Sequence, residues 1–465
     1  MAMTALVGGV GWRNALLVVV DHLLFVAAVL VAVWLRLGYN EWVFGWHLVW
    51  RASLVALVLQ VTMHYCDLYD LRTIRNRRNL FVGALQAVAA ASLILAILYY
   101  WLPDLMLGRG VLVMAAALML GLVVAWRIGF EWLSARLGPS ERLLIVGTSS
   151  AAIELARELY ERRHHLGVEL VGFVDADESK VGQPVLNPGV IGTIPDIPAI
   201  VAAHKVDRVV VSLANARGKF SMDALLEIKL RAGVRFDHLA SIYEEYTGKI
   251  AVENLRPSWL IFSSGFRKTR LLVAAKRTMD LALASIGLLL ALPVMAVAAV
   301  LIKLTSPGPI FYHQSRVGQN GRVVTVHKFR SMRTDAELKT GAVWAQQNDP
   351  RVTSFGRFMR KTRLDEIPQL WNVFRGEMSF VGPRPERPEF VAKLTKEIPF
   401  YGQRHVVKPG LTGWAQVRYA YGASVEDAIQ KLQYDLFYIK HLSLALDLYI
   451  VFETAKTVVL RRGSS

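Results

Sequence analysis

The chain has 465 residues, 54 lysines and arginines against 37 acids, and a formal net charge of +17. That length is too great for one core and suits about three domains. Hydrophobic residues make up 54% and fall in long runs, while no arginine-rich tail or nucleic-acid motif is present, so the positive charge is read against an anionic membrane face or phosphorylated substrates and not nucleic acid. The single cysteine, Cys66, permits no intrachain disulfide and reads as a small apolar filler.

Four apolar stretches come first, at Asn14–Leu35, Trp46–Tyr65, Leu80–Leu102 and Val111–Leu133. Each approaches the ~20 residues that cross a bilayer. The first run is long and others follow, so it reads as a span and not as a cleavable signal. Trp34, Trp46, Trp50, Tyr99, Tyr100, Trp101, Trp126 and Trp132 lie near the span ends, as interfacial aromatics do. Arg72, Arg75, Arg77 and Arg78 mark the loop between spans two and three as cytoplasmic, which puts both ends of the bundle in the cytoplasm. Asp21 and His22 fall inside the first span, where either function or helix–helix hydrogen bonding accounts for them.

An α/β segment follows from Arg142 to Tyr246. Strands are expected at Arg142–Val146, Glu169–Val174 (ending in Asp175) and Asp207–Leu213, with helices at Ser150–Arg163 and Met222–Ala232. The alternation predicts a parallel, doubly wound sheet. The first turn reads GTSSAA at 147–152, with Ser149 where a dinucleotide fingerprint needs a second glycine, and Asp175 lies beyond the usual acid spacing. A regulatory or dimerising domain is therefore expected instead of NAD chemistry. Thr247–Lys268 reads as a linker.

The fifth apolar stretch, Met279–Ile302, carries Pro293 in its middle. Arg267, Lys268, Arg270, Lys276 and Arg277 precede it and Lys303 follows it, so basic residues flank both ends. A proline removes one helical hydrogen bond and kinks the helix. The expectation is a re-entrant helix–break–helix at Pro293, with a kinked full span as the alternative. Beyond it, strands are expected at Ile310–Arg316 and Arg322–Phe329 around the hairpin signal Asn320-Gly321. Asp349–Thr362 reads as a helix or helix-like approach to the acid pair at 365–366, with bases that suit an anionic membrane surface.

The most informative stretch is RKTRLDEIPQLWNVFRGEMSFVGPRPER at 360–387. Adjacent acids, Asp365 and Glu366, stand among Arg360, Lys361, Arg363, Arg375, Arg384 and Arg387. Asp365 reads as a helix N-cap with Pro368 in the first turn. Ordinary capping and phosphate chemistry both fit such a point: a carboxylate there can attack phosphorus, and its neighbour can hold Mg²⁺.

This string resembles the bacterial sugar transferase family, the polyprenyl-phosphate hexose-1-phosphate transferases of the monotopic type, whose pattern has the form LDExPQLxNVxxGxMSxVGPRPE. KFRSM at 328–332 and KPGLTGWAQV at 408–417 match further family motifs, and the likeness extends over Lys276–Val459. The segments 248–265 and 419–427 look like a subgroup found with exopolysaccharide and PEP-CTERM export clusters. Arg363 departs from the family's usual serine, and Leu292 stands where a serine often precedes the proline.

The resemblance implies a fold of three parts: a four-helix membrane bundle (1–136), a Rossmann-like α/β domain (137–246), and, after a linker (247–270), an α+β transferase domain (271–465) with a re-entrant helix. It implies transfer of a sugar 1-phosphate from a UDP-sugar to undecaprenyl phosphate at the cytoplasmic face of a bacterial inner membrane. Asp365 is the expected nucleophile and Glu366 the expected Mg²⁺ ligand. Lys328, Arg330, Arg363, Arg384 and Gln416 are candidate substrate or phosphate ligands. Asp435 matches a family acid without an assigned role, and a surface-facing helical aspartate is its plain reading. Inner-membrane lipids and a homodimer are the other expected partners. Two other classes remain open: a membrane-bound NAD-dependent nucleotide-sugar oxidoreductase or epimerase, and a non-catalytic scaffold for polysaccharide assembly.

Overall fold

A computed structural model describes residues 12–38, 45–66, 68–69, 77–136, 141–161, 168–211, 234–252, 263, 265–336, 349–419, 422 and 424–459. Arg72, Arg75, the helix expected at 222–232 and parts of the segments 248–265 and 419–427 lie outside these residues. Residues 9–238 form one unit and 239–465 another.

In the first unit, uninterrupted apolar sequence gives helices Trp12–Leu37, Trp46–Tyr65, Arg77–Trp101 and Arg109–Arg136. Small residues sit where they meet, including Ala28, Ala32, Ala52, Ala56, Ala84 and Ala87, and let the backbones approach closely. Trp46, Tyr100 and Trp101 stay exposed near the helix ends. Asp21 faces the bundle interior, where both its oxygens accept from Arg127, at 3.0 and 2.7 Å. Its neighbour His22 meets Gln60 at 2.9 Å. The polar pair of the first helix therefore joins helices together. Five helices among the described residues, these four and Arg270–Thr305, are long and apolar enough to cross a bilayer, and they identify a membrane protein.

The same unit holds a five-stranded sheet in the order β3-β2-β1-β4-β5, every pairing parallel. The strands are β1 (Glu141–Val146), β2 (Val168–Asp175), β3 (Val190–Thr193), β4 (Arg208–Val211) and β5 (Arg235–His238). This is the Rossmann-like order expected of the alternating pattern. β3 and β5 have no counterpart among the strands expected from the sequence. At the switch point, the Asp175 carboxylate accepts from Thr148 N (3.2 Å), Thr148 Oγ1 (2.6 Å) and Lys180 Nζ (3.2 Å). Its place beside the first turn is thus taken by the chain's own groups.

The second unit is built on the helix Arg270–Thr305, which Thr269 caps by accepting from Leu272 N at 3.2 Å. The expected break is corrected: helical structure runs through Pro293 over all 36 residues. One missing N–H bends a helix without ending it when the flanking turns keep their bonds. Both ends are tied to the same small fold. Arg277 donates to the carbonyls of Val373 and Phe374, both at 2.7 Å, and Asp280 accepts from Ser379 Oγ and Phe380 N. At the far end Ser306 O accepts from Arg330 at 2.7 Å. Between these anchors Leu289, Leu290, Leu292, Val297 and Val300 are exposed.

An antiparallel hairpin follows, β6 (Phe311–Val317) and β7 (Val323–Phe329), turning at Asn320 with φ +55° and Gly321 with φ +76°. Those left-handed values are what the Asn-Gly pair supplies. A two-stranded parallel pair, β8 (Ser379–Val381) and β9 (Gly410–Thr412), and the helices Val425–His441 and Leu444–Val459 enclose a core around Trp414, Phe437, Tyr438, Leu446 and Ile450. The helix Leu239–Thr247, most of whose residues the sequence reading grouped with the α/β segment, is bonded to the helix Val425–His441. Tyr243 Oη donates to Gln433 at 3.1 Å, and Glu244 pairs with Lys440 and His441.

Candidate active site

Thr353 opens the helix Ser354–Thr362 by accepting from Gly356 N at 3.0 Å, so the expected helix from Asp349 begins five residues later. Residues 349–352 are instead held by Asp349, which turns back onto Arg351. The helix stops at Arg363, whose φ of +58° is uncommon for a residue with a side chain. This reversal leads into a 3₁₀ turn over Leu364–Glu366, with Leu364 packed against Ala298, Ile302, Phe329 and Met359. Asp365 is therefore not an N-cap. The helix that follows, Gln369–Arg375, starts from Pro368 without a side-chain cap.

The two acids meet opposite surroundings. Glu366 Oε1 accepts from Lys328 Nζ at 3.0 Å and from Arg384 at 2.8 Å, and Arg363 stands 3.6 Å from Oε2. Burial opposes its ionisation, but Arg384, Lys328 and Arg363 outweigh it and hold the carboxyl well below the ordinary range. Asp365 is buried to 8% exposure, and no hydrogen bond or ion pair reaches its carboxylate among the described residues. Burial, then the charge of Glu366, pushes its carboxyl up, against the weaker pull of Lys328, Arg360 and Arg363. The site thus contains one locked carboxylate beside one open carboxylate.

Arg384 is presented by a loop fixed through its backbone. Gly382 N donates to Thr412 O, Gly410 N to Pro383 O and Arg316 to Pro385 O, each at 2.9 Å, while Arg404 donates to Arg384 O at 3.1 Å. A side chain on Gly410 or Gly413 would collide with the Gly382 carbonyl, which explains glycine at those positions. Arg404 is itself buried against Asp435 at 2.8 Å and Tyr401 Oη at 2.6 Å. Asp435 is therefore not a surface aspartate. It is 1% exposed, and burial pushes its carboxyl up to about 6 despite Arg404.

Of the residues singled out in the sequence, Asp365, Glu366, Lys328, Arg363 and Arg384 come together. Arg330 does not join them: its guanidinium donates to Pro307 O (2.6 Å) and Ser306 O (2.7 Å) at the exit of the membrane helix. Gln416 donates to Leu411 O at 3.2 Å, leaving its buried Oε1 without a partner among the described residues. Pro293 lies mid-helix. The sequence reading missed Arg404 and Arg316 as supports of the Arg384 loop; Arg360, which it placed among the cations around the acids, donates to Ser331 Oγ at 2.9 Å. Arg404 sits in YGQRHVV between Gln403 and His405, so no local pattern signals its burial.

A family model described as bacterial sugar transferase matches residues 271–461, and one described as a CoA-binding domain matches 64–227. The chain is 40% identical over 270 residues to a UDP-N-acetylgalactosamine-undecaprenyl-phosphate N-acetylgalactosaminephosphotransferase of Aeromonas hydrophila, covering 58% of this chain and 62% of that protein. It is 34% identical to a UDP-glucose:undecaprenyl-phosphate glucose-1-phosphate transferase of Xanthomonas campestris pv. campestris, over 69% of this chain and 66% of that one. These two alignments leave about a third of each relative unmatched. A UDP-glucose:undecaprenyl-phosphate glucose-1-phosphate transferase of Escherichia coli (strain K12) is 36% identical over 72% of both chains. With that coverage, and with the family match enclosing the acid pair, the chain belongs to the bacterial sugar transferase family.

Proposed function

We propose that the chain transfers a sugar 1-phosphate from a UDP-sugar to undecaprenyl phosphate, releasing UMP and forming undecaprenyl-diphosphate-sugar as the first membrane step of exopolysaccharide assembly. The observation that carries this reading is the unbonded Asp365 carboxylate beside a Glu366 clamped by Lys328 and Arg384. The names of the relatives support the substrate classes, and they differ in the sugar.

In the proposed sequence an Asp365 oxygen attacks the phosphorus that bears the sugar. The bond from that phosphorus to the bridging oxygen breaks, and UMP leaves with the electron pair. An oxygen of the lipid phosphate then attacks the same phosphorus and displaces Asp365 as carboxylate. Lys328, Arg363 and Arg384 face the charge that develops on the phosphoryl oxygens. Among the described residues no group of three or more His, Cys, Asp or Glu could hold a metal alone. Mg²⁺ commonly takes one or two carboxylates and completes its shell with substrate phosphates, and Glu366 Oε2 with the open Asp365 fits that pattern. Such an ion would neutralise diphosphate charge.

The helix Arg270–Thr305 is read as a re-entrant anchor bent at Pro293. Support comes from its two ends, both bonded to one small fold, and from basic residues flanking both. This keeps Asp365 at the headgroups on the cytoplasmic side of the inner membrane, where a soluble donor and a lipid phosphate can both reach it. The reading also keeps the bundle at 1–136 as the membrane domain and gives the Rossmann-like part a regulatory or homodimerising role.

The test is UMP release from a panel of UDP-sugars, glucose and N-acetylgalactosamine included, with undecaprenyl phosphate in membranes, plus rapid quench for a phosphosugar adduct. No UMP release from any donor would sink the proposal. UMP release ahead of product with no adduct on the protein would sink the covalent step alone.

A further inference from the structure

A concavity of about 630 Å³ lies in the 239–465 unit, and neither Asp365 nor Glu366 lines it. Its volume falls in the range of sites for organic ligands. One part of its wall is apolar: Phe266, Val273, Phe400, Leu436, Ile439 and Leu442. Elsewhere the wall carries four cations, Lys268, Lys276, Arg277 and Lys408, against the carboxylate of Asp280, the only one among the described lining residues.

That carboxylate is already used, by Ser379 Oγ at 3.0 Å and Phe380 N at 2.9 Å. Lys276 is neutralised by Asp447 at 2.6 Å. The other three cations have no carboxylate partner among the described residues. Arg277 bonds the carbonyls of Val373 and Phe374, and Lys268 those of Gly265 and Lys440. No acceptor for Lys408 Nζ is present among the described residues, although the side chain is half-buried. Burial first, and then the charges of Arg277 and Lys276, push the Lys408 ammonium below its ordinary range, against Asp280. Half-buried cations without counter-charge are costly unless an anion is supplied from outside.

Position completes the argument. Val273, Lys276, Arg277 and Asp280 belong to the first turns of the apolar helix, whose next turns expose Ile286, Leu289 and Leu290. The concavity therefore lies at the foot of the segment read as membrane-embedded, at headgroup depth. We propose that it is a binding site for an anionic membrane phospholipid, with the phosphate among Lys408, Arg277 and Lys268 and an acyl chain along the apolar wall. Neither Asp365 nor Glu366 is among the described residues that line the site, so the occupant proposed is a resident lipid and not a reactant. The inference rests on the membrane placement of the helix and not on the transfer chemistry.

The test uses the full chain in phosphatidylcholine nanodiscs, with and without phosphatidylglycerol, and reads thermal unfolding. Phosphatidylglycerol is expected to raise the wild-type transition by about 3 °C, as a ligand binding only the folded state does. In Lys408→Gln the rise should fall by at least half, while the transition in pure phosphatidylcholine is not lowered. Lys268→Gln, which removes a cation held by carbonyls alone, should behave likewise and decides the matter if the first variant does not fold. An equal rise in wild type and variants would mean non-specific attraction to a basic protein and overturns the site. An equal rise from inorganic phosphate in phosphatidylcholine overturns the lipid. A larger, Lys408-dependent rise from undecaprenyl phosphate overturns the phospholipid and gives the site to the acceptor.

Discussion

The two neighbouring acids should respond with opposite signs when each loses its charge. Glu366→Gln removes the counter-charge of Lys328 at 3.0 Å and Arg384 at 2.8 Å, and relieves none of the burial of Lys328. Breaking one side of a buried ion pair costs about 3–5 kcal/mol. At roughly 2–4 °C per kcal/mol for a unit of this size, the transition should fall by roughly 6–20 °C. Asp365→Asn removes a carboxyl that burial and Glu366 already disfavour as an anion. Its transition at neutral pH should match or exceed that of wild type. The pH dependences oppose each other for the same reason. The raised Asp365 contributes stability below its unfolded value that is lost as pH rises, whereas the depressed Glu366 contributes stability above its unfolded value that is lost as pH falls. Thermal unfolding in membranes-mimicking discs, paired with UMP release, reads both properties. Asp365→Asn should retain the fold and lose transfer. If it melts as far below wild type as Glu366→Gln, the assignment of one locked and one open carboxylate is wrong. Substantial turnover by Asp365→Asn removes it as the nucleophile.

At Asp435, the carboxyl is pushed up to about 6 by burial, so the folded state binds its proton more tightly than the unfolded chain does. Stability from this group is full below about pH 4 and lost as pH rises through about 6. Asp435→Asn should flatten that part of the stability–pH curve; an unchanged slope would assign it elsewhere. In the bundle, Asp21→Ala strands Arg127 and should cost about 3–5 kcal/mol, while Asp21→Ala with Arg127→Met should recover much of it. A double variant as unstable as the single one would show that the helices do not depend on that pair. If the Arg384 loop matters through its support, Arg404→Lys should lower kcat while wild-type stability is largely kept. Unchanged kcat would leave Arg404 a purely structural residue.

Much of this protein is determined by local sequence. Long apolar runs must be helices, because only a helix satisfies its own backbone groups in lipid, and the Trp46–Tyr65 helix has the boundaries expected of it. The Asn320-Gly321 hairpin and the parallel sheet follow equally from turn chemistry and alternation. The motif at 360–387 identifies the acids and Arg384, but not what each acid touches. Only the tertiary structure separates Asp365 from Glu366, since the cations that distinguish them come from residues 328, 363 and 384. The same holds for Arg330, which the motif places with Lys328 but which the fold turns onto the Ser306–Pro307 carbonyls. Asp435 reads as a surface residue because a charged side chain on a helix ordinarily faces water, and it is buried where Arg404, far away in sequence, pairs with it. Charge, burial and hydrogen bonding at a site depend on distant segments brought together, and no local pattern of residues encodes those distances.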